Sequence, residues 1–339
     1  MKKPLLSIPG IILLFLVTFT TTSCKKEGLV SKELLVFLSG DKAGTPTNTR
    51  TVPFIHTPIG IEGNTIIDVS AYATREVPAD ITIYINPSVG LINEYNQKNN
   101  TNLLELPFAT YNMITPNKQV MPAGTMESAP IQIEIIHPEL LTNPNGYILP
   151  LTLTKIESND KGVKISTTHA TMYLKITYEF SNVVQTETPL SSTLMSRTGW
   201  SVTVSNSSSG TANQASNMLD GSNSTVWRSS NSSTAAKTVT LNMGSVQQVS
   251  GFRISPNYNN TNENAVQMTI STSTDNVNYT FQGIWRGKGP AAGTNATNPD
   301  YKGVTFVVPV QARYWRFDIT AWVASTVNVV GIAEINGIQ

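Results

Sequence analysis

Short runs of alternating apolar and polar residues recur along most of the chain. A wholly apolar strand-like run at residues 34–38 comes first, and the alternating runs are residues 66–70, 81–85, 131–135, 149–153 and 172–176. Period-2 alternation turns one face of a segment to water and the other to a core, so each run predicts a half-buried strand. Gly, Pro and Asn separate the runs, and only residues 89–99 read as a helix, a short one. Further runs follow at 238–243, 251–255, 267–273, 304–308, 314–320 and 331–335. Residues 181–193 contain Pro189, show little periodicity and read as a linker. The pattern predicts an all-β chain of two β-sandwiches, over residues 34–180 and 194–339.

Length and charge fit that division. A chain of 339 residues is about twice a typical ~150-residue domain. Charged residues make up only 13%, roughly half the usual ~25%. Lys+Arg 23 against Asp+Glu 22 leaves a net charge of +1, which speaks against a polyanion partner: a nucleic-acid binder concentrates basic residues on one face. Asn, Ser and Thr supply the missing polarity, most densely between residues 200 and 240, and such a composition favours turns and loops.

The first residues carry a different signal. Lys2 and Lys3 precede an apolar run at residues 11–17, followed by Thr21-Thr22-Ser23-Cys24. The run is too short for a ~30 Å bilayer core, which needs about 20 apolar residues. It resembles a bacterial lipoprotein signal. On that resemblance residues 1–23 are a signal peptide and Cys24, the chain's one cysteine, is the lipidated first residue of the mature protein, with residues 24–33 as tether. The expected location is the cell envelope, as a surface-exposed outer-membrane lipoprotein held by a lipid anchor.

Two family resemblances follow from residue blocks. Leu91-Ile92-Asn93-Glu94-Tyr95-Asn96, Glu105-Leu106-Pro107, Pro122-Ala123-Gly124-Thr125 and Tyr147-Ile148-Leu149-Pro150-Leu151 resemble an N-terminal sandwich domain of unknown function found in Bacteroidetes lipoproteins. The resemblance implies an Ig-like sandwich acting as spacer or interaction module. The second set is the run from Ala215 through Asp220-Gly221 to Trp227, then Ser273-Thr274-Asp275-Asn276-Val277-Asn278-Tyr279, Arg313-Tyr314-Trp315-Arg316-Phe317 and Ile332-Ala333-Glu334-Ile335. It resembles the coagulation-factor type C, or discoidin, module, which overlaps with family 32 carbohydrate-binding modules. That resemblance implies an eight-stranded jelly roll.

Enzyme constellations do not stand out. His56, His137 and His169 all fall in the first half without metal-ligand spacing. The sequence has no Gly-x-Ser-x-Gly elbow, phosphate loop or dinucleotide fingerprint. A glycosidase needs only two carboxylates from any positions, but the second half offers only Asp220, Glu263, Asp275, Asp300, Asp318 and Glu334. The chain therefore reads as a non-enzyme.

The discoidin resemblance supplies two candidate sites. It implies a structural calcium joining the first loop to the last strand, with carboxylates from Asp220 and Glu334, the hydroxyl and carbonyl of Thr225, and carbonyls of Asn217, Ser222 and Ala333. Calcium takes six to eight oxygens, and an Asp-Gly turn lets carbonyls complete the shell. The same residues also read as an ordinary Asp-Gly turn with Glu334 at the surface. The sugar site needs a ring to pack on a pyranose and planar polar groups to read its hydroxyls. Arg228, Asn257, Tyr258, Asn264 and Trp322 are the candidates, with Trp322 in the loop before the last strand as the stacking ring. Trp227 and Trp315 sit in strand patterns and are expected in the core. The leading expectation is a non-catalytic, lipid-anchored glycan-binding protein. An adhesion or scaffold protein gripping an outer-membrane protein partner or a lipid head group is the second, and a glycoside hydrolase the third.

Overall fold

The computed structural model describes residues 33–40, 47–184, 193–232, 236–324, 326 and 328–339. The expected signal peptide, Cys24, the expected tether up to residue 32 and most of residues 181–193 lie outside the described residues.

The first domain is a β-sandwich. Its largest sheet runs Gly60–Gly63, Thr49–Thr57, Thr171–Phe180, Tyr147–Ser158, Ile81–Pro87, Lys118–Met121 in spatial order, with Leu104–Glu105 paired to Tyr147–Ser158. Two three-stranded sheets complete it: Val163–Ile165, Leu34–Leu38, Ala71–Ala73 and Ile66–Val69, Ile131–Ile135, Tyr111–Met113. Burial follows the strand pleat, every second residue facing inward. Leu34, Val36 and Leu38, Ile81, Ile83 and Ile85, and Ile131, Ile133 and Ile135 all point into one core, which also takes Leu149, Leu151, Met172, Leu174 and Ile176. Thr49–Thr57 escapes the pattern because Pro53 interrupts it. The chain tolerates Pro53 on the exposed face, while Val52 and Phe54 are buried. The predicted helix is a 3-10 turn, Val89–Leu91, running into the α-helix Ile92–Asn99. Ile92 and Tyr95 pack it onto Leu103, Ile148 and Tyr173, and Asn100 ends it with a left-handed φ of 50°.

The second domain is a jelly roll. Thr238–Pro256 and Lys302–Trp322 are its two long strands, each fusing two predicted runs. They pair antiparallel, with register shifts between Asn242 and Gln247 and between Val249 and Gly251 that bend the ladder. The order is Trp227–Arg228, Gly331–Ile338, Thr238–Pro256, Lys302–Trp322, Ala265–Ser273, Thr280–Arg286, with Ser201–Val204 on Thr238–Pro256. Trp227 and Trp315 are fully buried as expected. Phe252 meets Trp315, Phe317 and Phe306 edge-on at 4.9, 5.2 and 6.2 Å between ring centres. Trp285 is also buried, and its Nε1 donates to the Gly303 carbonyl at 2.8 Å.

The turn after Ala265–Ser273 is organised by one carboxylate. Asp275 Oδ1 accepts from the backbone N–H of Val277 and Asn278 at 2.8 and 2.9 Å, and its Oδ2 from Asn278 Nδ2 at 2.8 Å. Those donors hold the carboxyl far below the usual aspartate range, the Asn278 N–H contributing most. Stability from a depressed carboxylate is present above its unfolded pKa and is lost as pH falls through the folded value. The Asp275 turn is therefore expected to persist into strong acid. A carbon-detected carboxyl titration checks this: the Asp275 midpoint should lie well below the ordinary aspartate value of about 3.9, and a midpoint at that value would contradict the turn.

The two domains meet through a docked segment. After Phe180 the chain leaves the first sandwich at Ser181, whose N–H donates to the His56 carbonyl at 2.9 Å. Asn182 then crosses into the jelly roll. Its N–H donates to the Gln282 carbonyl at 2.6 Å, and its carbonyl accepts from Val307 at 2.8 Å. Its side chain, buried with the rest of the residue, donates to Gln282 Oε1 and the Val308 carbonyl and accepts from the Val308 N–H at 2.9 Å. Val184 donates to Thr305 at 2.9 Å. Arg286 grips Glu179 with both terminal nitrogens, at 3.0 and 3.3 Å. Residues 181–184 thus belong to a hydrogen-bonded junction.

Candidate functional site

An open groove of about 580 Å³ lies on the second domain between two loops, lined by Ala212, Asn213, Asn217, Ser224, Thr225, Val226, Arg228, Asn257, Asn259 and Asn260. One wall follows the 3-10 turns Thr211–Asn213 and Ala215–Leu219, and the other follows the loop after Thr238–Pro256. Arg228 ends the two-residue strand between them.

A buried carboxylate builds this site. Glu263 is only 2% exposed, and such a charge is tolerated only when its oxygens are filled. Its Oε2 accepts from Arg228 Nε at 2.8 Å and Asn257 Nδ2 at 2.9 Å, and its Oε1 from Asn260 Nδ2 at 2.8 Å and from Arg228 Nη2. The two-point grip fixes the guanidinium plane while leaving Arg228 partly exposed at the groove. Hydrogen bonding to Glu263 also raises the Arg228 pKa, outweighing burial.

The asparagines divide into loop-builders and groove-liners. Asn257 Oδ1 accepts from the N–H groups of Asn259 and Asn260 at 3.0 and 3.2 Å. Asn264 Oδ1 accepts from the Asn257 N–H at 2.5 Å, and its Nδ2 donates to the carbonyls of Asn257 and Thr261 at 3.0 and 3.1 Å. Asn264 is buried, its amide is spent on the loop, and it does not line the groove. Asn217 clamps the opposite wall, donating to Ala212 and Val226 carbonyls at 3.0 Å each.

Of the five residues expected to bind sugar, Arg228 and Asn257 therefore come together at the groove, and three stand elsewhere. Besides Asn264, Tyr258 is half-buried with its hydroxyl enclosed, and burial pushes its pKa up. Trp322 is the last residue of Lys302–Trp322, paired with Ala265 and packed on the core, where a loop position was expected. The second long strand runs further than its apolar pattern, and that carries Trp322 off the loop. Glu263, Asn213, Asn259 and Asn260 are site residues that sequence reasoning passed over. Glu263 stood among the six acids, but only folding shows that it faces a cation 35 positions away.

The candidate calcium residues gather at a second place. Asp220 Oδ1 accepts from the Ser222 N–H at 2.8 Å and its Oδ2 from Thr225 Oγ1 at 2.7 Å. Glu334 Oε1 accepts from Gly221 and Ser222 N–H groups at 2.7 and 3.1 Å, tying the last strand to the turn. Glu334 is 2% exposed, so its reading as a surface residue is overturned. Ala333 is the residue skipped where the pairing of Gly331–Ile338 shifts between Ser255 and Pro256. The carboxylates of Asp220 and Glu334 are within hydrogen-bond reach of each other, with the Arg197 guanidinium on Glu334. Burial raises the Glu334 pKa; at Asp220 burial works in the same direction but is outweighed by its hydrogen bonds to Thr225 and Ser222, which lower it. Two close carboxylates, a threonine hydroxyl and a turn that presents carbonyls are hard oxygen donors suited to calcium. Asp220 and Glu334 bring two negative charges against one guanidinium, so the donor set fits a further cation. Among the described residues no group of three or more His, Cys, Asp or Glu side chains could hold a metal, so carbonyls would have to complete any shell.

The histidines stay apart from both places. His56 stacks edge-on against Tyr178 at 4.7 Å, His137 Nδ1 contacts Glu139, and His169 Nδ1 contacts Thr168.

Residues 201–335 match the F5/8 type C domain, and residues 32–160 match a second family model described as an N-terminal domain. The second half of the chain is thus an F5/8 type C, or discoidin, domain. Among solved structures, a two-domain protein of unknown function from Bacteroides fragilis is similar over 91% of this chain and 95% of its own, with a TM-score of 0.57 and 16% identity. An F5/8 type C domain from the same organism covers 44% of this chain and 98% of its own, at TM-score 0.38 and 18% identity. A family 32 carbohydrate-binding module from Clostridium perfringens, solved with galactose, covers 43% and 98%, at TM-score 0.35 and 21% identity. No curated protein matches the chain.

Proposed function

We propose, from the premise that residues 201–335 form an F5/8 type C domain, that this is a non-catalytic carbohydrate-binding protein of the cell envelope, anchored by a lipid on Cys24. The observation that carries the reading is Arg228, clamped flat by the buried Glu263 at the mouth of an amide-lined groove. Fixed planar donors and acceptors are what recognition of sugar hydroxyls requires, and pre-organisation spares the entropy of ordering them on binding. Asn213, Asn259 and Asn260 supply further amides along the groove.

Calcium has a supporting place in this reading. Asp220, Glu334 and Thr225 would hold it, with the carbonyls of Asn217, Ser222 and Ala333, and it would supply rigidity to the loop carrying one groove wall. Thr225 and Asn217 belong to both sets, so the two places share a wall. Single-site affinity is expected to be weak, because a small hydrated sugar buries little apolar area, and many copies on one membrane would compensate through avidity.

A glycan array tests the proposal. The protein is expected to bind one sugar class, and Arg228→Ala to lose at least about tenfold in affinity, a loss of roughly 1.4 kcal/mol. Equal binding by Arg228→Ala would sink the groove assignment. A blank array with folded protein would favour the second reading, an adhesin with a protein partner.

A further inference from the structure

Arg197 lies four residues after the linker region, does not line the groove, and ends on the most deeply buried carboxylate of the Asp220 turn. Its guanidinium donates through Nη1 to Glu334 Oε2. Its backbone is pinned as well, because the Arg197 carbonyl accepts the Trp200 N–H at 3.0 Å. Gly221, at a left-handed φ of 88°, packs beside the guanidinium: a Cβ there would lie 3.6 Å from Arg197 Nη2, an ordinary van der Waals contact, so it is the backbone conformation that calls for glycine. With this contact every carboxylate oxygen of the pair has a protein donor. Glu334 Oε1 has two backbone N–H groups, Glu334 Oε2 has Arg197, Asp220 Oδ1 has the Ser222 N–H, and Asp220 Oδ2 has the Thr225 hydroxyl.

We propose that Arg197 is a resident counter-cation: it holds Glu334 and the Asp220–Thr225 turn in their folded arrangement without a divalent ion, and it weakens the turn's affinity for one. The physical ground is charge. Two carboxylates facing each other repel unless a cation lies between or beside them, and the side-chain exposures of Glu334 and Arg197 are 3% and 21%, so water screens the pair little. A guanidinium cancels one of the two charges, leaving a site of net −1 where calcium would otherwise meet −2. Calcium sites are tuned by just such counts of ligand charge. The turn would then keep the shared groove wall in place whether calcium is abundant or scarce. This builds on the calcium reading above, and its two halves are separable.

The test uses the purified protein, calcium chloride as the only added ligand, and two readouts, thermal melting with and without chelator and titration calorimetry. The wild type is expected to shift by less than about 2 °C on chelation. Arg197→Gln is expected to melt at least about 6 °C lower in chelator, to recover most of that with calcium, and to bind calcium about tenfold more tightly than wild type. Arg197→Lys, which keeps the charge without the fork, is expected to fall between them. A wild type that loses as much on chelation as the glutamine variant overturns the proposal, and so does a glutamine variant that melts like wild type. If the glutamine variant melts lower but neither protein takes up calcium, the calcium reading fails together with the weakening half, and the counter-cation half stands. Should Arg197→Gln not fold, the wild-type melt and the lysine variant decide.

Discussion

Glu263→Ala is expected to cost about 3 kcal/mol of stability and to remove groove binding altogether. Breaking a buried ion pair by deleting one partner costs about 3–5 kcal/mol because the other charge is left uncompensated. Here Arg228 is 37% exposed, so solvent screens part of that penalty and the low end applies. The loss extends past the pair, because Glu263 also holds the side-chain amides of Asn257 and Asn260. Without it the loop from Pro256 to Asn264 loses its central acceptor, and two groove residues lose their orientation. Urea unfolding would measure the first effect and titration with the sugar found on the array the second. Arg228→Lys separates charge from geometry: a lysine can balance Glu263 but cannot present a fixed fork, so stability should be largely kept while affinity falls. Full affinity in Arg228→Lys would mean that charge alone is read.

The pair explains why the sequence revealed the fold more fully than the site. Alternation is a local signal, and the runs at 81–85 and 131–135 each point their isoleucines into the first core as the pattern implies. What escaped was strand structure with a local defect. Thr49–Thr57 hides behind Pro53, and the bends of Thr238–Pro256 and Lys302–Trp322 made each look like two strands. The site has no such period. Arg228 meets Glu263 across 35 residues and Arg197 meets Glu334 across 137, distances that only the closed jelly roll brings together. Family resemblance pointed to the loops that border the groove, and at Asn264 and Trp322 it marked residues whose side chains serve the loop and the core. Residue type at a loop position does not reveal which way an amide faces; the hydrogen-bond accounting does.

Gly283→Val should uncouple the two domains. Gly283 sits in Thr280–Arg286 at a φ of 141°, and a Cβ there would lie 2.6 Å from Ser181 Oγ and 3.1 Å from Val183 Cγ2. Ser181 Oγ has little freedom to yield, because it accepts from the Val183 N–H at 3.1 Å and donates to the Val183 carbonyl at 2.9 Å. The substitution therefore adds backbone strain and overlap where Ser181 and Val183 of the docked segment pass closely against the jelly roll. Neighbouring contacts share that geometry: Asn182 on Gln282, Phe180 on Phe281 and Glu179 on Arg286. Calorimetry of the wild type is expected to show coupled melting of both domains, and Gly283→Val to show two separate transitions with each core intact. Small-angle scattering should show a larger radius of gyration for the variant. Unchanged scattering and a single transition would mean that the ion pair and backbone ladder hold the junction without this close approach. If the domains do separate while the affinity of the groove for a soluble sugar is unaltered, the junction's role is to aim the groove: on the proposed lipid anchor, a stiff mount would present every copy at one angle, and avidity depends on geometry that lets several sites engage together.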